Sequence, residues 1–248
     1  MAAASPTSVM PPSSFKEDVK SVGYWFYNLV GPTLRGRPAC KPTMPAVIPT
    51  VIDELKQVMG PVKGKSDWTF VDLGCGQGMM LQPMRDATLD GKGKRMFERV
   101  VGVELDPGTY REAVAAHSDP CIEIECGDMF PFVDKICAGS KLYSGRAAFY
   151  IYEPLWMANM SQEEMERLYG GLLDNVAKHP GSVIVYCSAD AYREMPTALL
   201  ESKGLVLKRS VSVAQNGAFN KIRGRYNPLE FWQVPERESS SPKKKQKK

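Results

Sequence analysis

The sequence predicts an α/β fold of three layers, in which helices cover both faces of a mostly parallel, seven-stranded sheet. Two observations carry this prediction. From residue 64 onward, short apolar segments that fit buried strands alternate with amphipathic helical stretches, as a parallel sheet covered on both faces requires. The last two apolar segments follow each other without a helix and are separated by a turn at Asn216-Gly217, which predicts an antiparallel hairpin at the end of the sheet.

The periodicity of the apolar residues gives the bounds of the expected elements. Five parallel strands are expected at residues 69–73, 100–104, 122–125, 147–152 and 182–187. Helices are expected between them at residues 79–88, 107–117, 162–178 and 191–203. The two strands of the hairpin are expected at residues 204–213 and 229–234, which completes the count of seven.

Two accessory helices are predicted before the sheet. Apolar residues recur at helical spacing from residue 15 to the break at Gly31-Pro32, and again over residues 45–59. We therefore expect residues 15–60 to form an N-terminal helical segment. Its aromatic and basic residues make it a candidate lid over a substrate, and packing on the sheet as accessory helices is the alternative.

Both ends of the chain are predicted to be disordered. Residues 1–14 are rich in Ala, Ser and Pro, and residues 236–248 run into ESSSPKKKQKK, so neither end has the apolar residues to pack. Residues 61–235 remain as one folded domain. The basic tail resembles a nuclear import signal, and a solvated tail without a function is the alternative.

The charge distribution argues against nucleic acid as a partner of the folded domain. Hydrophobic residues make up 43% and charged residues 24% of the chain, as in ordinary globular proteins. The net charge is +4, but five lysines of the tail supply more than this, which leaves about −1 for the rest. Because phosphate neutralisation carries most nucleic-acid affinity, a basic surface would be expected on the folded part.

The remaining composition predicts an intracellular protein, cytoplasmic or nuclear, with no membrane partner. No segment is long and apolar enough to span a bilayer, and the first residues lack the pattern of a secretory signal. The six cysteines are scattered without a C-x-x-C pair, and there are only two histidines. Reduced thiols and no metal site are therefore expected.

A glycine-rich loop in the segment WTFVDLGCGQGMM is the clearest functional signal. A buried strand with the acidic Asp72 leads through Gly74, Gly76 and Gly78 into a helix, which lets the backbone turn sharply and approach a ligand. The spacing is G-x-G-x-G, whereas a dinucleotide site prefers G-x-G-x-x-G, and no Lys-Ser or Lys-Thr of a P-loop follows. S-adenosylmethionine carries no phosphate, and its amino group suits the Asp72 carboxylate. An ordinary tight turn between a strand and a helix, without a ligand, is the alternative for the loop alone.

Two further acidic residues follow the next two strands. Glu104 ends the second strand, where a carboxylate can accept hydrogen bonds from both hydroxyls of a ribose. Asp128 follows the third strand and can accept from an adenine amino group, with Met129 and Phe130 offering an apolar face to the ring. A solvated acid at Glu104 and a simple helix N-cap at Asp128 are the alternatives.

The ordered segments VDLGCGQG, GVELDP and ECGDMF resemble the motif series of class I S-adenosylmethionine-dependent methyltransferases, over roughly residues 45–235. The resemblance implies S-adenosylmethionine as the cofactor and makes residues 61–235 the methyltransferase domain. It also implies three sets of contacts to the cofactor: with the methionine moiety by Asp72, Gly74, Gly76 and Gly78, with the ribose by Glu104, and with the adenine by Asp128. Cys75 in the loop and Met129 beside Asp128 are further candidate cofactor-binding residues.

The fourth strand ends in FYIYEPLWM, at the position that faces the transferable methyl group in this family. Tyr152, Glu153 and Trp156 are the candidate catalytic residues: the carboxylate could orient or deprotonate an amine, and the aromatic rings could line its channel. The segment resembles the Asp/Asn-Pro-Pro-aromatic motif of methyltransferases that act on nitrogen. Glutamate replaces the Asp or Asn, and Leu155 replaces the second proline. A strand-end turn with Trp156 in the core is the alternative.

These observations predict a methyltransferase that acts on nitrogen in a protein side chain, with lysine favoured because of Glu153 and a resemblance to small protein-lysine methyltransferases. A small molecule or a nucleic acid is the alternative substrate. Two other classes stay open: a nicotinamide-dependent oxidoreductase, and a binding module that keeps the fold without catalysis.

Overall fold

The computed structural model describes residues 7–9, 43, 45–61, 66–90, 93–137, 145–152, 162–187, 197–214 and 226–236. Strands and helices alternate through these ranges as predicted. The strands are β1 (Thr7–Val9), β2 (Thr69–Leu73), β3 (Arg99–Glu104), β4 (Ile122–Cys126), β5 (Ala147–Tyr152), β6 (Val183–Cys187), β7 (Val206–Ala214) and β8 (Tyr226–Gln233). The helices are α1 (Val47–Met59), α2 (Leu81–Asp86), α3 (Pro107–Ala116), α4 (Met129–Cys137), α5 (Gln162–Val176) and α6 (Thr197–Ser202).

The strands form one sheet in the order β1-β7-β8-β6-β5-β2-β3-β4. Strands β2 to β6 pair in parallel, whereas β8 runs antiparallel to both β6 and β7. The seven predicted strands are therefore present, and the predicted antiparallel hairpin at the end of the sheet is confirmed.

The short strand β1 differs from the prediction, which left residues 1–14 without ordered structure and gave the sheet seven strands. Thr7–Val9 pair in parallel with residues 211–213 of β7, so the sheet has eight strands. An edge strand offers a row of N–H and C=O groups that a short extended segment can pair with, whatever its side chains. Composition alone does not reveal such pairing.

Helices cover both faces of the sheet, which confirms the three layers. On one face, α1 and α2 pack against a core that contains Phe70 and Tyr150. On the other face, α4, α5 and α6 pack against a second core that contains Val71 and Phe149. Adjacent residues of β2 and β5 thus point to opposite cores, as the period of two in a strand requires.

Helix α1 confirms the second of the two predicted accessory helices. Val47, Val51, Leu55 and Met59 recur every fourth position and are all buried against the sheet. The helix ends at Gly60, which has a φ of 65°. The other predicted helix, the turn at residues 216–217 and the basic tail lie outside the described residues.

Helix α4 was not predicted: its nine residues include a proline, and it begins at Met129, inside the motif ECGDMF. Pro131 lies in the first turn, where a missing N–H does not interrupt the helix. The described part of the chain contains no helix that is long and apolar enough to cross a membrane.

The position of β2 determines where a ligand can bind. The chain runs from β2 through β3 to β4 on one side and continues through β5 to β6 on the other, so the direction of winding reverses beside β2. In open α/β sheets, ligands bind in the crevice at the carboxyl ends of the strands at such a reversal. The glycine loop after β2 and the end of β5 flank this crevice.

Candidate cofactor site

Backbone hydrogen bonds hold the glycine loop against the end of β3. The N–H groups of Gly74 and Cys75 both donate to the carbonyl oxygen of Val103, at 2.9 and 2.8 Å. The N–H of Gly76 donates to Oε2 of Glu104 at 2.8 Å. Three of the loop's N–H groups are therefore already bonded to the neighbouring strand, and an acidic side chain takes the third.

The side of the loop that carries Gly74 and Gly76 is open. Their φ angles are 83° and 55°, which side chains rarely adopt, and a Cβ atom at either residue would meet nothing within 4 Å. Gly78 has a φ of 80°, but a Cβ there would lie 2.5 Å from Nε2 of His117. The first two glycines thus border a cradle with room for a ligand, whereas Gly78 permits close packing against His117.

Cys75 faces the sheet rather than the crevice. Its Sγ would lie 2.8 Å from a Cβ atom placed on Gly102 of β3, and the residue is buried. Glycine at 102 therefore lets the loop settle onto β3. The motif predicts ligand contacts for Cys75 and Gly78, whereas the structure gives both residues contacts within the protein.

The Glu104 carboxylate is fixed by backbone groups on both of its oxygen atoms. Oε2 accepts from Gly76, and Oε1 accepts from the N–H of Asp106 at 2.8 Å. Burial raises the pKa of Glu104, although these backbone N–H groups lower it. Each oxygen keeps a further lone pair, so the carboxylate can still accept from a hydroxyl of a ligand.

Asp72 places a second carboxyl group beside the first. It lies in β2 opposite Gly102 of β3 and is 3% exposed. Burial raises its pKa from 3.8 to about 8, and the charge of Glu104 contributes in the same direction. A positively charged ligand beside this carboxyl group would favour its ionised form and lower the pKa again.

The residues after β3 and β4 form the other end of the crevice. Asp128 lies just before α4, and its Oδ1 accepts from the N–H of Phe130 at 3.0 Å, the pattern of an N-cap for that helix. Met129 is 5% exposed and packs into the second core. Leu105, which the sequence analysis missed, is 61% exposed beside Glu104. The sequence signal that could have identified Leu105 is its position directly after Glu104 at the end of β3.

Tyr152 lies at the end of β5, across the crevice from the glycine loop. Its ring stacks on that of Tyr150, with centroids 6.5 Å apart and an interplanar angle of 17°. The buried Tyr150 hydroxyl is 3.3 Å from the Thr43 hydroxyl, which ties the segment before α1 to this part of the sheet. The other two candidate catalytic residues, Glu153 and Trp156, lie outside the described residues.

Among the described residues, the acidic groups of the crevice are not part of a cluster of metal ligands. Within the described ranges, no group of three or more His, Cys, Asp or Glu side chains could hold a metal ion. The two carboxyl groups of Asp72 and Glu104 are instead suited to a ligand that combines a positive charge with hydroxyl groups.

No family model and no curated protein sequence matches the chain. Among solved structures, a Listeria monocytogenes protein assigned to the class I S-adenosylmethionine-dependent methyltransferases matches with a TM-score of 0.51 at 13% identity. The match covers 82% of this chain and 63% of the Listeria chain. The chain therefore has the fold of class I S-adenosylmethionine-dependent methyltransferases, which confirms the fold that the motif series implied.

Two further matches have a TM-score of 0.47 each. The N-methyltransferase NodS from Bradyrhizobium japonicum is 16% identical, and the match covers 75% of this chain and 94% of NodS. A Leishmania major S-adenosylmethionine-dependent methyltransferase is 13% identical, with 88% of this chain and 82% of that chain covered.

Proposed function

We propose that this protein is a methyltransferase that uses S-adenosylmethionine and acts on nitrogen in a protein side chain, with lysine favoured. The observation that carries the cofactor assignment is the pair of buried carboxyl groups of Asp72 and Glu104 beside the open glycine cradle. A ligand with an ammonium group, a sulfonium and two ribose hydroxyls matches this pair in charge and in hydrogen bonding.

The same geometry argues against a nicotinamide dinucleotide. A dinucleotide site uses free N–H groups of the glycine loop to hold a pyrophosphate. Here the N–H of Gly76 is bonded to the Glu104 carboxylate, and a second carboxyl group stands close by at Asp72. An anionic ligand would meet acidic groups where it needs donors, whereas S-adenosylmethionine contains no phosphate.

The residues at the far end of the crevice are suited to bind a nucleobase next to the ribose. Leu105 offers an exposed apolar side chain beside Glu104, and Asp128 offers a carboxylate after the neighbouring strand. An apolar side chain can cover the face of a flat ring, and a carboxylate can accept from its amino group. We assign this end to the adenine.

S-adenosylmethionine, when bound, supplies a methyl group on a positively charged sulfur. The chain must then hold a neutral amine in line, exclude water and accept one proton from the product. Tyr152, whose ring stacks on the buried ring of Tyr150, provides a partly exposed aromatic side chain at the end of β5. We assign the carboxylate of Glu153, the next residue in the chain, to orient the amine and accept its proton.

Replacement of Glu104 with alanine is expected to weaken S-adenosylmethionine binding by about 1.5–3 kcal/mol, the contribution of hydrogen bonds to a charged group. The variant loses the ribose acceptor and also the acceptor that holds Gly76. Isothermal titration calorimetry measures the effect. The control is Glu123→Ala on β4, an exposed glutamate paired with Arg99, which should bind as the wild type does. Equal affinities of both variants would contradict the ribose assignment.

Replacement of Glu153 with glutamine is expected to lower kcat by about 100-fold, the usual contribution of a general base, with little change in cofactor affinity. The amide keeps the size of the side chain but does not accept the proton. Turnover and cofactor binding are measured on the same preparations. Parallel losses of both would place Glu153 at the cofactor instead.

The acceptor is found by incubating the protein with methyl-labelled S-adenosylmethionine and a cell extract. Label on lysine side chains of a protein supports the proposal, whereas label on a small molecule or a nucleic acid overturns the acceptor class. Titration with S-adenosylmethionine, S-adenosylhomocysteine and NAD separates the other classes. Binding of NAD alone indicates an oxidoreductase, and binding of the first two without any labelled product indicates a non-catalytic module.

A further inference from the structure

One side of the glycine loop packs against α3. This helix has no part in the cofactor contacts proposed above. Nε2 of Gln77 donates to Oε2 of Glu112 in the middle of α3 at 2.8 Å, in a partly buried contact. The next residue, Gly78, packs against His117 just beyond the end of the same helix. The side of the loop that contacts α3 is therefore different from the open side that carries Gly74 and Gly76.

Gln77 needs such a support because of its neighbours. Gly76 and Gly78 flank it with φ angles of 55° and 80°, and glycine is the residue that restricts the backbone least. The N–H groups of both glycines are bonded within the site, and the Gln77 side chain adds a contact that joins this part of the loop to α3. Its amide points to α3, so it leaves the open side of the loop to backbone atoms.

Helix α3 is also joined to the other half of the site. The N–H of Asp106 donates to Glu104, and the Asp106 side chain caps the helix by accepting from the N–H of Thr109 at 2.7 Å. The bond from Gly76 to Glu104 joins the loop to the end of β3, and Asp106 joins this end of β3 to α3. The bond from Gln77 to Glu112 then joins α3 back to the loop, so the contacts form a closed ring. The Gln77–Glu112 hydrogen bond is the link that closes it.

We propose that Gln77 and Glu112 are positioning residues that hold the glycine loop in its ligand-binding shape through α3, without contacting the ligand. The inference rests on the proposed function for the identity of that ligand. A loop already held in shape loses less conformational freedom when the ligand binds, so the pair raises affinity through preorganisation.

The test compares Gln77→Met, Glu112→Met and Glu112→Gln with the wild type. Both methionine variants remove the hydrogen bond at similar side-chain length, and we expect each to bind S-adenosylmethionine and S-adenosylhomocysteine about tenfold more weakly. The KM for the cofactor should rise similarly, whereas kcat at saturating cofactor should change much less. Glu112→Gln keeps an acceptor oxygen and should retain most of the affinity. The double methionine variant should bind the cofactor no more weakly than either single variant, because both substitutions remove the same hydrogen bond.

The matched control is Gln82→Met on α2. Gln82 donates to Asp86 at 3.0 and 3.1 Å on the exposed side of that helix, so the variant loses the same kind of bond away from the loop. It should bind cofactor as the wild type does. Equal affinities for Gln77→Met and Gln82→Met, or additive losses in the double variant, would overturn the positioning role.

Hydrogen exchange in the ligand-free protein tests the pair without reference to the cofactor. Amides of residues 74–81 should exchange faster in Gln77→Met than in the wild type or in Gln82→Met, with unchanged melting temperatures. Unchanged exchange would overturn the inference. A wild-type protein that fails to bind S-adenosylmethionine would overturn the proposed function instead, and the exchange result would still decide the role of the pair.

Discussion

Replacement of Gly76 with valine is expected to weaken cofactor binding by about a hundredfold while the protein stays folded. The φ angle of 55° strains any β-branched side chain, and a Cβ atom at this residue would meet nothing within 4 Å, so the valine side chain would enter the space that the proposed function assigns to the cofactor. A misfit of about 3 kcal/mol in a packed site corresponds to about a hundredfold loss of affinity. Calorimetry with S-adenosylmethionine measures this loss.

Gly204 provides a control for the backbone strain alone. It follows α6 with a φ of 77°, a Cβ atom placed on it would also meet nothing within 4 Å, and it lies outside the cofactor crevice. Gly204→Val should lower the melting temperature to a similar extent and leave binding intact. If both variants bind equally well, the ligand does not lie over the glycine loop.

The ligand-free protein is expected to lose stability relative to Asp72→Asn as the pH rises from about 4 to about 8, by on the order of 1 kcal/mol per pH unit. The cause is the pKa of Asp72, which burial raises from 3.8 to about 8. Between these two values the folded state holds a proton that the unfolded chain releases. The stabilisation is therefore complete at low pH, falls as the pH rises, and is exhausted above about pH 8.

Urea unfolding of both proteins across this range gives the difference in the free energy of unfolding. Asp53→Asn on α1, where the side chain is 71% exposed, is the control and should show the pH dependence of the wild type. A difference between wild type and Asp72→Asn that stays constant with pH would mean that Asp72 is already ionised in the folded protein.

The strands and the cofactor crevice could be predicted because their signals are local. The apolar segment before Asp72 and the glycines after it define a strand, a turn and a helix within about a dozen residues. The placement of Glu104 at the same edge of the sheet as the glycine loop could be predicted because parallel strands bring their carboxyl ends to one edge. Both carboxyl groups lie where this reasoning placed them.

Features that depend on distant contacts could not be predicted in the same way. Gly78 packs against His117, about forty residues further along the chain. Cys75 packs against Gly102, about thirty residues further along. The pairing of β1 with β7 joins segments some two hundred residues apart. In each case the sequence shows one partner without any local sign of the other, so only the assembled sheet reveals the contact.

The position of β8 has a consequence for how this protein is made. The strand lies between β6 and β7, and its adjacent residues Phe231 and Trp232 are buried in opposite cores. During synthesis β7 emerges first, yet it cannot join the parallel strands until β8 has also left the ribosome. Co-translational folding can therefore begin at the N-terminal strands, but the sheet and both cores are completed only after residue 233 is available.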